Sequence, residues 1–107
     1  MKEEFLPLQV IKNDETKRFE LTVDGHIAFI DFKQEDQIIK LIHTEVPEEL
    51  AGRGVAAALV EKTLVFLEDN DFSLYPYCPY VFAYIKKHPA WFRIVNPSFP
   101  KYAELTA

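Results

Sequence analysis

The sequence predicts a mixed α+β fold, in which a mostly antiparallel sheet carries one parallel strand pair and packs against two main helices. In the first half of the chain apolar and polar residues alternate, which is typical of strands. After Gly52 the apolar residues adopt helical spacing, and a short apolar segment and a second helical segment follow. Because a helix that connects two strands makes a right-handed crossover, the strand after the first helix should lie parallel to the strand before it.

Four strands are predicted before the first helix. Residues 8–11 form a short apolar strand, and in the next strand Phe19, Leu21 and Val23 alternate with polar neighbours. Asp24-Gly25 is typical of the two-residue type I′ turn of a hairpin. The third strand, a second hairpin turn and the fourth strand follow at residues 26–32, 33–36 and 37–46. These strands are expected to form an antiparallel meander.

Two main helices are predicted in the second half of the chain. The first begins in the Gly52 region with one apolar face and should stop near Asn70. A short strand at residues 72–75 comes next. Pro79 suits the first position of the second helix, which should run to Lys87 because a proline follows two residues later.

Length and composition predict one domain over residues 1–107, with its core in residues 8–95 and a loosely docked tail at 96–107. A hydrophobic content of 49% excludes a disordered chain. The formal charge of −5 argues against nucleic acid or an anionic membrane as the main partner. A single cysteine and the absence of a recognisable targeting segment predict a cytoplasmic protein.

A glycine-bearing turn opens the first helix, with the sequence Gly52-Arg53-Gly54-Val55-Ala56. Glycine allows backbone N–H groups to approach a ligand, and a helix start offers unpaired donors that suit a phosphate. Arg53 would add a charge-assisted contact. The alternative is that both glycines only serve a tight strand-to-helix connection. The spacing fits neither a Walker loop nor a dinucleotide fingerprint.

The predicted parallel strands end at the same edge of the sheet, which is where ligands bind in such sheets. One strand ends at Glu45-Val46-Pro47 and the other at Pro76-Tyr77-Cys78. The glycine turn and the only thiol are therefore expected close together. Three scattered histidines and one cysteine form no ligand-spaced cluster, so no metal site is predicted.

The glycine turn resembles the acetyl-CoA-binding signature of the GNAT N-acetyltransferase superfamily, usually written Gln/Arg-x-x-Gly-x-Gly/Ala. Gly54 and Ala56 match its small positions, whereas Ala51 departs from its Gln/Arg position. Residues 43–47, 76–81 and 88–91 resemble the single-domain, cysteine-containing minimal acetyltransferases of that superfamily.

The resemblance implies a GNAT-like fold whose parallel strands splay apart to admit coenzyme A. Backbone groups from Thr44 to Val46 would bind the pantetheine arm. The pyrophosphate would be held by backbone amides of Gly52, Arg53, Gly54, Val55 and Ala56. Cys78 would lie near the thioester of acetyl-CoA. The substrate-wall helices of larger members have no counterpart here, so the acceptor site would be open or completed by a partner.

Three roles stay open for Cys78: an intermediate carrier of the acetyl group, a lining residue of the acyl pocket, or a buried structural residue. His43 and Glu45 share a strand face, and either is a candidate base acting through a water. Tyr80 and Tyr84 share a helix face. A tyrosine of this helix protonates the leaving CoA thiolate in many GNAT enzymes, and both also fit as aromatic residues at the edge of the core.

The sequence thus predicts an acetyl-CoA-dependent N-acetyltransferase of the minimal GNAT type, acting on an amine of a small molecule or a protein, with no nucleic-acid or membrane partner. The alternatives are a non-catalytic CoA or acyl-CoA binder and a protein-interaction domain that uses the sheet edge at residues 8–11.

Overall fold

The computed structural model describes residues 1–106 of the chain. Five strands occur in this part: β1 (Ile11–Asn13), β2 (Arg18–Val23), β3 (His26–Glu35), β4 (Ile38–Glu45) and β5 (Ser73–Pro76). The α-helices are α1 (Val55–Asp69), α2 (Pro79–Lys87) and α3 (Tyr102–Thr106). Three short 3-10 helices lie at Glu3–Phe5, Glu48–Leu50 and Pro89–Ile94. Within residues 1–106, no helix combines the length and the apolar character that crossing a membrane requires.

The five strands form one sheet in the order β1-β2-β3-β4-β5. The first four pair antiparallel as a meander, and β5 pairs parallel to β4, with Ile38 opposite Ser73. The predicted α+β fold with one parallel pair is therefore confirmed. The crossover through α1 accounts for this parallel pair, because a two-residue turn can join only antiparallel neighbours.

The two hairpin turns differ in how well the sequence predicts them. Asp24 and Gly25 have φ values of 49° and 79°, which confirms the predicted turn between β2 and β3. The second turn is tighter than predicted, because β3 continues to Glu35, which pairs with Ile38. Asp36, with a φ of 53°, provides the left-handed residue of this turn.

An irregularity in β4 reverses which side chains face the core. Asp31 pairs with His43 and Phe32 pairs with Leu41, so Ile42 is an extra residue in β4. Before it, Leu41 is buried, whereas Ile42 and His43 are exposed and Thr44 is half-buried. Thr44 therefore lies on the side of the sheet where the helices pack.

The core lies between α1, α2 and one face of the sheet. On β2 the alternate residues Phe19, Leu21 and Val23 are buried together with the apolar faces of both helices. Each fully buried large side chain contributes roughly 1.5–3 kcal/mol relative to its exposed state. Asn70 is the C-cap of α1 and Pro79 is at the start of α2, as predicted.

The N-terminal segment differs from the prediction of a strand at residues 8–11. β1 begins only at Ile11, and the backbone carbonyls of Leu6 and Leu8 accept hydrogen bonds from the Lys62 ammonium of α1, at 3.4 and 2.6 Å. Because these carbonyls bind a side chain of α1, the segment follows the helix before it joins the sheet. Phe5, 1% exposed, anchors this segment in the core.

The C-terminal tail is packed against the core, so the expectation of loose docking is wrong. Phe99 and Leu105 are 2% and 4% exposed. The Asn96 N–H donates to the carbonyl of Leu74 at 2.9 Å, which attaches the chain to the outer edge of β5. The last residue of the predicted tail, Ala107, lies outside the described residues.

Candidate functional site

The glycine turn before α1 has an open, left-handed backbone. Gly52 and Gly54 have φ values of 76° and 80°, a region in which a side chain would be strained. A Cβ atom built on Gly52 would meet no atom within 4 Å. Gly54 is the N-cap of α1 and has no side-chain cap. The first N–H groups of α1 therefore lack a side-chain acceptor, as an anion site at a helix start requires.

Arg53 of this turn is held by two carboxylates. Its guanidinium donates to Glu4 at 2.8 Å and to Asp24 at 2.7 Å. The hydrogen bond to Glu4, and then the one to Asp24, raise the pKa of Arg53 above its ordinary value. The guanidinium thus ties the glycine turn to the N-terminal segment and to the β2–β3 hairpin. A phosphate at Arg53 would have to compete with both carboxylates.

β4 and β5 diverge beyond Leu41. The last residue pair between them is Leu41 with Pro76, and one further backbone bond joins the Cys78 N–H to the Leu41 carbonyl at 2.8 Å. β4 continues to Glu45, whereas the segment after β5 turns into α2. Backbone pairing of the parallel strands thus ends here, and Thr44 lies on the part of β4 beyond the last pair.

Cys78 and Thr44 come together in this gap. Cys78 is the N-cap residue of α2 and is 2% exposed. Its Sγ lies 3.2 Å from the Thr44 Oγ1, a hydrogen bond in which either atom can donate. The sequence predicted the place of the thiol at a helix start, but it assigned only a backbone role to Thr44. No pattern in the sequence signals the extra residue in β4 that turns the Thr44 side chain towards Cys78.

The candidate bases, His43 and Glu45, lie together on β4 but point into solvent. Their side chains are 59% and 61% exposed, and His43 Nε2 lies 3.9 Å from a Glu45 carboxylate oxygen. The prediction that they share one strand face is consistent with this distance. Thr44, between them, is the β4 residue whose side chain forms a hydrogen bond with the Cys78 thiol.

The two candidate tyrosines of α2 have different surroundings. The Tyr84 hydroxyl donates to the Glu61 carboxylate of α1 at 2.5 Å, and the Trp91 indole N–H donates to the same oxygen at 3.1 Å. Burial, and then the Glu61 carboxylate, raise the pKa of Tyr84 well above its ordinary value. Tyr80 is 43% exposed. The Tyr84 hydroxyl is therefore engaged by Glu61, whereas Tyr80 is an exposed residue.

A cleft of about 440 Å³ separates the start of α1 from α2. It is lined by Met1, Gly54, Ala57, Ala58, Glu61, Tyr84 and His88. Gly54, Ala57, Ala58 and Glu61 have the spacing of one helical face, and three of them are small, which makes room beside the glycine turn. This spacing is present in the sequence and could have indicated the cleft.

A second, larger groove of about 660 Å³ runs between the N-terminal segment and the outer side of α1. It contains no residue of the glycine turn, whereas the smaller cleft is lined by Gly54, and Cys78 lines neither of them. No group of three or more His, Cys, Asp or Glu side chains in the described part of the chain is arranged to hold a metal ion.

Comparison with protein families identifies the family to which the chain belongs. A family model described as GCN5-related N-acetyl-transferase matches residues 18–95. The matched region contains the glycine turn, the diverging strands and Cys78. The chain belongs to the GCN5-related N-acetyltransferase family. As a member of this family it carries an acetyltransferase domain.

This N-acetyltransferase family member is similar to vertebrate proteins called Protein NATD1. The chicken protein is 29% identical over 91 residues, which cover 81% of this chain and 82% of the chicken protein. The mouse protein is 38% identical over 53 residues, which cover 50% of this chain and 48% of the mouse protein. The human protein is also 38% identical over 53 residues. These two mammalian matches span about half the length of the relatives.

Proposed function

We propose that the chain is an acetyl-CoA-dependent N-acetyltransferase that transfers an acetyl group to an amine of a small molecule or a protein. The observation that carries the proposal is the divergence of β4 and β5 after Leu41, with the Cys78 thiol in the gap. An extended ligand in this gap would pair with the backbone from Thr44 to Val46 as an additional strand does. The open glycine turn would hold the diphosphate through its backbone amides.

In the proposed reaction the amine nitrogen attacks the acetyl carbonyl carbon, the carbon–sulfur bond of the thioester breaks, and the coenzyme leaves as a thiol. Backbone donors near Val46 would stabilise the developing oxyanion. The amine must lose a proton, which His43 or Glu45 would accept through a water. The leaving thiolate must gain one. Tyr80 is the better candidate donor, because the Tyr84 hydroxyl is bound to Glu61.

A second candidate function is a non-catalytic CoA or acyl-CoA binder. The observation that favours it is the environment of the thiol: the hydrogen-bonding partner of Cys78 is the neutral Thr44 hydroxyl, and the thiol is 2% exposed. A nucleophilic thiol usually has a base or a cation beside it, which lowers its pKa.

Calorimetric titration of the Gly54→Asp variant with CoA and dephospho-CoA tests the binding step that both candidates share. The added carboxylate would place a negative charge and a side chain where the diphosphate is proposed to bind, so we expect no measurable affinity. Gly25→Asp is the matched control, because Gly25 has a φ of 79° and open space around its Cβ position. We expect the control to bind within about threefold of the wild type.

Wild-type affinity in a folded Gly54→Asp protein would contradict the proposed site. If the wild-type chain has no affinity for CoA or acetyl-CoA, the protein-interaction alternative is favoured. If the wild-type chain does bind CoA, turnover of acetyl-CoA with a set of amines distinguishes an enzyme from a non-catalytic binder.

A further inference from the structure

The N-terminal segment crosses the glycine turn, and one of its side chains is a cation. The Cε of Lys2 lies 3.9 Å from the position that a Cβ would take on Gly54. Met1 lines the cleft that Gly54, Ala57 and Ala58 also line. Resting on the proposed function, we propose that Lys2 is the side-chain cation that contacts the coenzyme diphosphate.

The charge balance around the turn favours such a cation. Arg53 is neutralised by Glu4 and Asp24, at 2.8 and 2.7 Å. Glu48 and Glu49 are exposed in the 3-10 helix that precedes the turn. Backbone amides carry only partial charges, so the carboxylates would oppose a diphosphate unless a full positive charge lies nearby.

Lys2 is free to provide this charge. Its side chain is exposed, and it has no ion pair with any described residue from Met1 to Thr106. An ammonium on a flexible four-carbon stem acts as a point charge and can follow a phosphate without a fixed geometry. Lys2 could therefore bind an anion without breaking an existing ion pair, whereas Arg53 would have to give up two.

The segment that carries Lys2 is attached firmly to the rest of the molecule. Phe5, three residues further on, is 1% exposed, and its N–H donates to the Lys2 carbonyl at 3.1 Å. The Arg53–Glu4 ion pair and the hydrogen bond from Lys62 to the Leu8 carbonyl add two more attachments. Lys2 is thus held within reach of the turn, and little order has to be gained when a ligand binds.

The test compares Lys2→Ala with Lys33→Ala, an exposed lysine on β3 that gives the same change in net charge. CoA, dephospho-CoA and pantetheine are titrated into each variant. We expect Lys2→Ala to weaken CoA and dephospho-CoA binding about tenfold, which is typical of one charge-assisted hydrogen bond. Pantetheine, which lacks the diphosphate, should bind as in the wild type. Lys2→Arg should restore the affinity to within about threefold, because it keeps the charge.

Equal affinities of Lys2→Ala and Lys33→Ala for CoA would overturn the inference. A loss confined to CoA, with dephospho-CoA unaffected, would also overturn it, because the contact would then be to the 3′-phosphate. Failure of the wild-type chain to bind CoA would instead overturn the proposed function and the inference with it. Thermal unfolding of each variant confirms that the exposed substitutions leave the fold intact.

Discussion

For Cys78, the sequence predicts the position at a helix start but not the contact that its side chain makes. Its position at the start of a helix follows from Pro79, which suits the first helical turn. Its contact with Thr44 depends on the extra residue in β4, which no local sequence pattern predicts. Because the thiol is buried and bonded to a hydroxyl, its role as acetyl carrier has to be tested directly.

A carrier role for Cys78, in place of direct attack by the amine, predicts that acetyl-CoA leaves an acetyl group on the thiol, detected by mass spectrometry of the intact protein. In this step the Sγ attacks the acetyl carbonyl carbon, the coenzyme leaves as a thiol, and the thiol proton moves to the leaving sulfur. If Cys78 is the carrier, Cys78→Ala should abolish the adduct and lower kcat about 100-fold or more, as loss of a nucleophile does.

Thr44→Val is the control for this prediction, since it keeps the shape beside the thiol and removes only the hydroxyl. It should still form the adduct. If wild-type protein binds acetyl-CoA but no adduct forms and Cys78→Ala turns over normally, Cys78 is not a carrier.

At the scale of secondary-structure elements, the Glu61 side chain connects α1 to two other helices. From α1 it accepts hydrogen bonds from Tyr84 of α2 and from Trp91 of the 3-10 helix Pro89–Ile94. The Tyr84 ring also packs on His88, with ring centroids 4.3 Å apart. These contacts hold α2 at a fixed distance from α1 and therefore fix the width of the cleft beside the glycine turn.

Glu61→Ala should lower the free energy of unfolding by about 2–4 kcal/mol, because the half-buried Tyr84 and the buried Trp91 lose their acceptor. Glu61→Gln keeps an acceptor oxygen and should lower the free energy of unfolding by about half as much. The measurement is urea unfolding at neutral pH, with the exposed Glu15→Ala as control. A loss of less than about 0.5 kcal/mol in Glu61→Ala would show that the cluster does not connect the helices.

The stability of the protein at alkaline pH provides a second test of the Glu61 contacts, and the direction of the change follows from Tyr84. The pKa of Tyr84 is raised in the folded protein, so above about pH 10 the unfolded chain loses this proton first. Stability should therefore fall as the pH rises beyond that value. In Glu61→Ala the fall should be smaller, because the carboxylate that disfavours the tyrosinate is gone. Urea unfolding at two alkaline pH values measures the difference.

At the scale of the whole molecule, both ends of the chain close the core. Phe5 fills it from the N-terminal segment, and Phe99 fills it from the tail. The Phe99 ring lies 5.7 Å from Tyr75 and 5.2 Å from Tyr77, between centroids. The tail thus covers the end of β5, beside the place where this strand turns towards Cys78.

Phe99→Ala should lower the free energy of unfolding by about 3–5 kcal/mol, the usual cost of removing a buried phenyl ring. Ser98→Ala, at the exposed neighbouring position, should change it by less than about 0.5 kcal/mol. Chemical denaturation of both variants provides the comparison. Near-equal stabilities would mean that the tail is dispensable for the fold.

The sequence by itself determined the order of the strands and helices, the Asp24-Gly25 turn, the stop of α1 at Asn70 and the start of α2 at Pro79. These features depend on residues that are close together in the chain, whose side-chain spacing and backbone preferences act locally. The parallel pair also followed, because a helical crossover has one favoured hand.

Only the tertiary structure decided the path of the N-terminal segment, the partners of Arg53, the Thr44–Cys78 contact and the docking of the tail. Lys62, Glu4 and Asp24 are far along the chain from the groups they bind. Such contacts leave no periodic trace in the sequence, since any acidic residue that folding brings close can bind a guanidinium. They exist because packing of the core brings distant segments together.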